Sequence, residues 1–320
     1  MAKQWIVSSS PHVRSKDTSQ NLMRDVVIAL LPATIVGFIV FKGAAIFTVL
    51  LTVLAAVGFE FLYGKLTKQP NLIKDYSAVV TGLLLGLNLP ASLEIAPPSV
   101  AIVVPVIGSF FAIIIVKQLF GGIGNNFMNP ALAARAFLIV SFAEHMTTWP
   151  KVDTVASATI LASLKEGGEV SQSVMDAFIG TVSGSIGEVS ALAILIGGIY
   201  LIVRKVISYR IPFFFIATVA IFVFFYSLAS GKGMDLEFVA YHLFSGGLML
   251  GAFFMATDYV TSPMTAKGQI IFAVGCGIIT SLIRLFGSYP EGVSFAIIIM
   301  NLTVPLIDRF TIPRAFGEAK

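Results

Sequence analysis

Ten apolar runs, parted by short polar stretches, decide what this chain can fold into. They cover 26–41, 44–63, 77–93, 100–116, 131–143, 189–203, 211–228, 243–256, 269–286 and 292–307. A straight helical crossing of a bilayer takes about 20 apolar residues. Several runs are shorter, and the count falls to nine if 131–143 is re-entrant. Inside lipid every backbone polar group must be bonded within the protein, which helices achieve. Only 12% of the residues are charged and 57% are hydrophobic, whereas a soluble domain carries about 25% charge. The sequence therefore predicts an all-α integral membrane protein. A net charge of +4 does not call for nucleic acid, because the basic residues cluster between apolar runs.

The same basic residues test the topology. With the N-terminus inside, 15 of the 21 Lys and Arg fall in inside segments and five outside, and Arg135 lies within a span. That bias is what the positive-inside rule expects of ten spans with both termini cytoplasmic. The chain then divides into a cytoplasmic arm (1–25), a membrane half (26–143), an extracytoplasmic loop (144–188), a second membrane half (189–307) and a cytoplasmic tail (308–320). The first 25 residues are polar and show no signal-peptide core. Cys276 is the one cysteine, which excludes internal disulfides and multi-cysteine iron–sulfur or zinc sites. His12, His145 and His242 show no ligand spacing.

An internal repeat is visible. TGLLLG at 81–86 returns as GGLMLG at 246–251, and KQLFG at 117–121 as IRLFG at 283–287. The offset is 165 or 166 residues, across five spans. An odd number inverts the copy, so the reading is two inverted five-helix repeats with a site near the midplane. Both Gly-rich spans are interrupted, one at Asn88-Leu89-Pro90 and the other at Thr257-Asp258. The plainer reading is that their glycines let helices pack closely.

Five places invite chemistry. The stretch 152–161, VDTVASATIL, ends small residues on one threonine, Thr159, six positions after Asp153. Ala156, Ser157 and Ala158 leave its hydroxyl unshielded locally. On those residues alone an ordinary polar turn is the better reading. The Gly- and Asn-rich loop 121–130 precedes a helix start and suits a polar ring or a phosphate, or a satisfied turn. Arg135 lies inside a span, where an ionisable group is costly. Glu60 is near a helix end, within reach of water, and Glu188 is placed to cap a helix through its dipole.

These stretches resemble one family along almost the whole chain: DYSAVVTGLLLGLNLP (75–90), GGIGNNFMNPALAARAF (121–137), GSIGEVSALAILIGG (184–198), MATDYVTSP (255–263) and YPEGVSFAIIIMNLTVPLIDR (289–309). The chain resembles the D subunits of Rnf complexes, ion-translocating ferredoxin:NAD oxidoreductases. It is also similar to their relatives, the B subunits of sodium-pumping NADH:quinone reductases. The short N-terminal arm and total length favour the former. The resemblance implies an electron-transport subunit in a bacterial or archaeal cytoplasmic membrane. Its partners would be the other membrane and peripheral subunits, including a second FMN-carrying subunit and iron–sulfur subunits. It further implies FMN joined by a phosphoester to the last threonine of an Asp-x-x-[Ser/Thr]-Gly-Ala-Thr motif, attached by a flavin transferase. Here Asp153, Ala158 and Thr159 match; Ala156 and Ser157 depart from the usual Ser/Thr and Gly. A second, noncovalent flavin, riboflavin, is implied in the membrane part, and no residue pattern places it.

Two other functions stay open on the sequence. One is a transporter or channel, whose five-span inverted repeat is similar to urea-transporter architecture. The other is a scaffold whose flavin motif has decayed. The exported loop with Thr159 distinguishes the redox reading, because a channel has no use for it.

Overall fold

The computed structural model describes residues 17–68, 72–94, 96–148, 159–165, 172–180, 182, 184–230, 234–287 and 292–313. Among these the architecture is helical, without a strand; one isolated antiparallel bridge joins Pro90 to Ser185. The first helix, α1 (Ser19–Thr67), starts on a Thr18 side chain that accepts from Asn21 N. Its 49 residues would run about 75 Å if straight, well beyond a hydrocarbon layer of about 30 Å. Lys42 breaks it, with φ 52° and ψ −127°. The two runs 26–41 and 44–63 lie on either side of that break.

The next elements are α2 (Ser77–Asn88) and α3 (Pro98–Phe110), the latter continuing as a π-helix over Phe111–Lys117. Then come α4 (Pro130–Ser141) and the short α5 (Ala143–Thr147), α6 (Ile160–Lys165) and α7 (Val174–Ile179). The chain continues through α8 (Ala191–Val203), α9 (Arg210–Ala229), α10 (Leu236–Phe244) and α11 (Leu248–Leu250), which runs into a π-helix over Gly251–Met255. It ends with α12 (Ala266–Phe286) and α13 (Val293–Thr311).

Five stretches are long and apolar enough to cross a membrane: α1, Pro98–Phe120, α9, α12 and α13. A sixth is added if α10 and α11, bent by 58°, form one broken span. All ten apolar runs carry helix, but α2, α4 and α8 have only 12 or 13 residues. By length and composition, five or six helices among the described residues qualify as crossings, with α1 counted once, and a count of ten rests on the shorter helices and on both halves of α1.

The breaks have local causes. α2 stops where Pro90 follows an extended Leu89 (φ −83°, ψ 150°), because Pro holds its predecessor out of the helical region. α10 stops before Gly246 and Gly247, both at positive φ (70° and 69°), a conformation that suits glycine. Packing joins the two sequence halves: α1 lies against α2, α3 and α8, α12 against α9 and α13, and α13 against α4. An ion pair adds a further tie between α1 and the end of α8. Arg204 donates to Asp25 Oδ2 through Nη2 (3.1 Å) and Nε (3.3 Å), and this bond raises the Arg204 pKa above its usual value. Large apolar side chains such as Ile39, Leu54, Phe225 and Leu302 stay exposed, which in water would be a liability and in lipid is the solvated state.

Candidate functional site

Where the two halves meet, polar side chains are buried in a column. Arg135, on α4, is 3% exposed. Its Nη1 donates to Asn88 Oδ1 and to Ser294 Oγ, both at 3.0 Å. Its Nη2 lies 3.8 Å from Glu188 Oε1. The Asn88 amide donates to Leu84 O (2.6 Å) and faces Met255 Sδ. Asn129 Nδ2 donates to Met255 O at 3.2 Å. With the Asn301 amide turned to suit its neighbours, its nitrogen donates to Thr261 O (2.9 Å) and its oxygen accepts from Asn129 N (3.1 Å). Thr261 Oγ1 and Asn126 Nδ2 then both donate to Asp258 Oδ2, at 3.1 and 3.3 Å. The run thus extends from Glu188, across the thioether and main-chain oxygen of Met255, to the half-buried Asp258, with contributions from both halves.

Local sequence explains the positions. Asn129 caps α4, its Oδ1 accepting from Ala131 N and Leu132 N, and Pro130 occupies the first turn. The first amides of α4 are therefore satisfied by the protein, and the phosphate reading of loop 121–130 loses its donors. The turn at 184–188, closed by Glu188 N donating to Ser185 O, docks on the broken end of α2: Ile186 N donates to Leu89 O and Gly187 N to Leu87 O. This turns Glu188 inward, toward Arg135. The cap of α8 is instead Ser190, whose side chain accepts from Ala193 N. The expected capping role of Glu188 is corrected accordingly.

Beside Asp258 opens a mostly apolar pocket of about 100 Å³. Val80, Leu84, Leu201, Phe253 and Phe254 form walls, and Asn126, Asn129, Asp258, Ser77 and Lys117 supply polar groups. Lys117 is 3% exposed and donates to Glu60 Oε1 (2.7 Å) and Ser77 Oγ (2.5 Å). Gln118 Nε2 donates to the same carboxylate oxygen at 2.7 Å. Glu60, at 1% exposure, does not reach water as its sequence position suggested, and Lys117 is not a loop charge. The signal missed was distance along the chain: 57 residues separate the pair.

At the far end of α12, Arg284 donates to three carbonyls, of His242, Ser245 and Gly246. It fills the mouth of the α10–α11 break. α6 sits on this assembly. Leu161 covers Gly246, and Lys165 donates to Gly287 O. Ile160 packs with Ala177, Val182 and Tyr241. Thr159 opens α6: its Oγ1 accepts from Ala162 N at 3.3 Å, and it is only 6% exposed. The unshielded hydroxyl expected from the small preceding residues is thus corrected, because shielding comes from the tertiary contacts of α6. Asp153, Ala156, Ser157 and Ala158 lie outside the described residues. Among the described residues no cluster of three or more His, Cys, Asp or Glu could hold a metal ion, and Cys276 is buried.

A helical chain with five or six long apolar helices, three further short ones and a buried polar seam is a polytopic membrane protein. Residues 6–317 match the NQR2, RnfD, RnfE family, and the chain belongs to that family. It is 52% identical to the D component of the Na(+)-translocating ferredoxin:NAD(+) oxidoreductase complex of Acetobacterium woodii, over 98% of this chain and 96% of that one. It is 45% identical to the D component of the proton-translocating ferredoxin:NAD(+) oxidoreductase complex of Clostridium ljungdahlii, over 99% and 97%. Against the D component of the ion-translocating oxidoreductase complex of Stutzerimonas stutzeri the identity is 37%, over 95% and 93%.

Proposed function

We propose that the chain is the D component of a membrane complex that couples ferredoxin:NAD oxidoreduction to cation movement. Full-length similarity to proteins named for that activity carries this reading. The two relatives are named for different ions, so likeness to them does not choose between Na+ and H+. The other subunits, among them flavin and iron–sulfur carriers, are its partners, and the bilayer is its solvent. Both termini face the cytoplasm of a bacterial or archaeal cell, ten spans form two inverted halves, and 144–188 is outside. The transporter alternative is not favoured by these relatives.

In this reading Thr159 carries FMN as a phosphoester, placed there by a flavin transferase. A flavin exchanges one or two electrons and so bridges carriers of both kinds. The chemistry of the site fits: an esterified Oγ1 remains an acceptor for Ala162 N, so the α6 cap survives modification. Access requires that α6 be free of its seat on Gly246 when the transferase acts. α6 then returns, and Ile160, Leu161 and Lys165 hold the tether against α10 and α12. This reading seats the second, noncovalent flavin in the pocket beside Asp258, where apolar walls with Asn126 and Asn129 suit a flat heteroaromatic ring.

The test is peptide mass spectrometry of the purified complex made alongside an active transferase. Thr159→Ala should remove covalent flavin and, by losing the cap, cost α6 about 1 kcal/mol. Thr159→Ser keeps the acceptor oxygen and should keep the cap. An unmodified wild-type Thr159 peptide refutes the attachment. Val80→Trp, which fills the pocket, should remove acid-extractable flavin and leave the covalent flavin in place.

A further inference from the structure

We propose that the seam between the two halves is a barrier, in which Arg135 closes the buried polar column to cations and protons. The coupling ion then crosses the complex by another route. The inference is independent of whether Thr159 carries flavin.

A continuous run of buried polar groups through a lipid-embedded protein is where water and cations would pass. The run from Glu188 to Asp258 has a carboxylate near each end, which favours cation entry. Arg135 stands in the way for three physical reasons. First, its guanidinium offers donors only and does not lose its proton, so a proton cannot be handed through it. Second, Nη1 occupies Asn88 Oδ1 and Ser294 Oγ, oxygens that a desolvated Na+ would need as ligands. Third, its fixed positive charge repels a cation at short range in a medium of low dielectric.

The closure is built rather than incidental. Its parts come from the broken end of α2 (Asn88), from α4 (Arg135), from the start of α13 (Ser294) and from segment 184–188 (Glu188). The Asn88 amide is fixed from behind by Leu84 O. Glu188 lies against a position without a side chain: a Cβ on Gly247 would lie 2.3 Å from Glu188 Oε1 and would push the carboxylate from its place. Gly187 is pressed on α2 just as closely, and a Cβ there would lie 2.7 Å from Leu87 Cβ. Four chain segments thus meet at one guanidinium, which stands in the column between Glu188 and the other acceptors.

The experiment uses the whole complex in liposomes, without electron donor, and reads passive 22Na+ efflux and dissipation of a pH gradient. Arg135→Gln supplies an acceptor and removes the fixed positive charge. It should raise the Na+ leak by about tenfold or more, equivalent to lowering the barrier by about 1.4 kcal/mol. Arg284→Gln removes a buried guanidinium outside the column and should stay as tight as wild type. Asn88→Asp is isosteric, keeps Arg135 and places a carboxylate on it. It should also raise the Na+ leak, and it decides the matter if Arg135→Gln does not assemble. The proposal is overturned if Arg135→Gln and Asn88→Asp are both as tight as wild type. It is equally overturned if Arg284→Gln leaks as much as Arg135→Gln, because that result marks lost packing of any buried arginine and not the opening of this column.

Discussion

Lys117 and Glu60 illustrate how far a single residue's role departs from its place in the sequence. Each stands at the end of an apolar run, where a charge ordinarily reaches water. Both are instead buried, with Ser77 Oγ accepting from Lys117 and Gln118 Nε2 donating to Glu60 Oε1. Removing one partner of such a pair strands a charge, at a cost of about 3–5 kcal/mol, whereas replacing both with apolar groups is often neutral. Lys117→Met should therefore lower the thermal midpoint of the complex in detergent markedly. Glu60→Leu combined with Lys117→Met should recover most of that loss. A double variant as unstable as the single one would mean that the pair itself is not the source of the cost.

At the scale of elements, the two broken helices carry the architecture, and the first of their breaks is the part of the site most legible in the sequence. Asn88-Leu89-Pro90 names the first stop by residue type alone; the second, at Gly246-Gly247, lies inside the apolar run 243–256, whose interruption the sequence places at Thr257-Asp258. What docks on them is not legible. Ile186 and Gly187 reach Leu89 and Leu87 across almost a hundred residues, and no local pattern encodes that contact. The same holds for α6 on Gly246, which is why Thr159 reads as open in the sequence and is buried in the fold. Gly246→Ala tests this seat. A Cβ there would lie 2.3 Å from Leu161 Cδ1 and 2.7 Å from Arg284 Nη2, at a φ of +70°. Strain at such a position costs about 1–3 kcal/mol. α6 should lift off, so covalent flavin at Thr159 should persist in the mass spectrum while electron transfer through the complex falls several-fold. Unchanged electron transfer with full flavin content would show that α6 need not be seated.

For the whole molecule, the apolar runs make the helices legible because lipid imposes one requirement on every span. Crossing number is harder, because a helix of 12 or 13 residues satisfies that requirement only when neighbours complete the path. α8 decides the matter, since its 13 residues separate Lys165 from Lys205. In the ten-span reading those two positions face opposite sides. Both are exposed, and Cys276 is buried and should contribute little background. Lys165→Cys should react with a membrane-impermeant maleimide in intact cells, and Lys205→Cys only after the membrane is opened. Labelling of both from outside would mean that α8 does not cross, and the ten-span count would fail with it. The reverse pattern, with Lys205→Cys reacting in intact cells and Lys165→Cys protected, would keep α8 as a span but invert the protein. Thr159 would then face the cytoplasm, and a transferase working outside could not reach it.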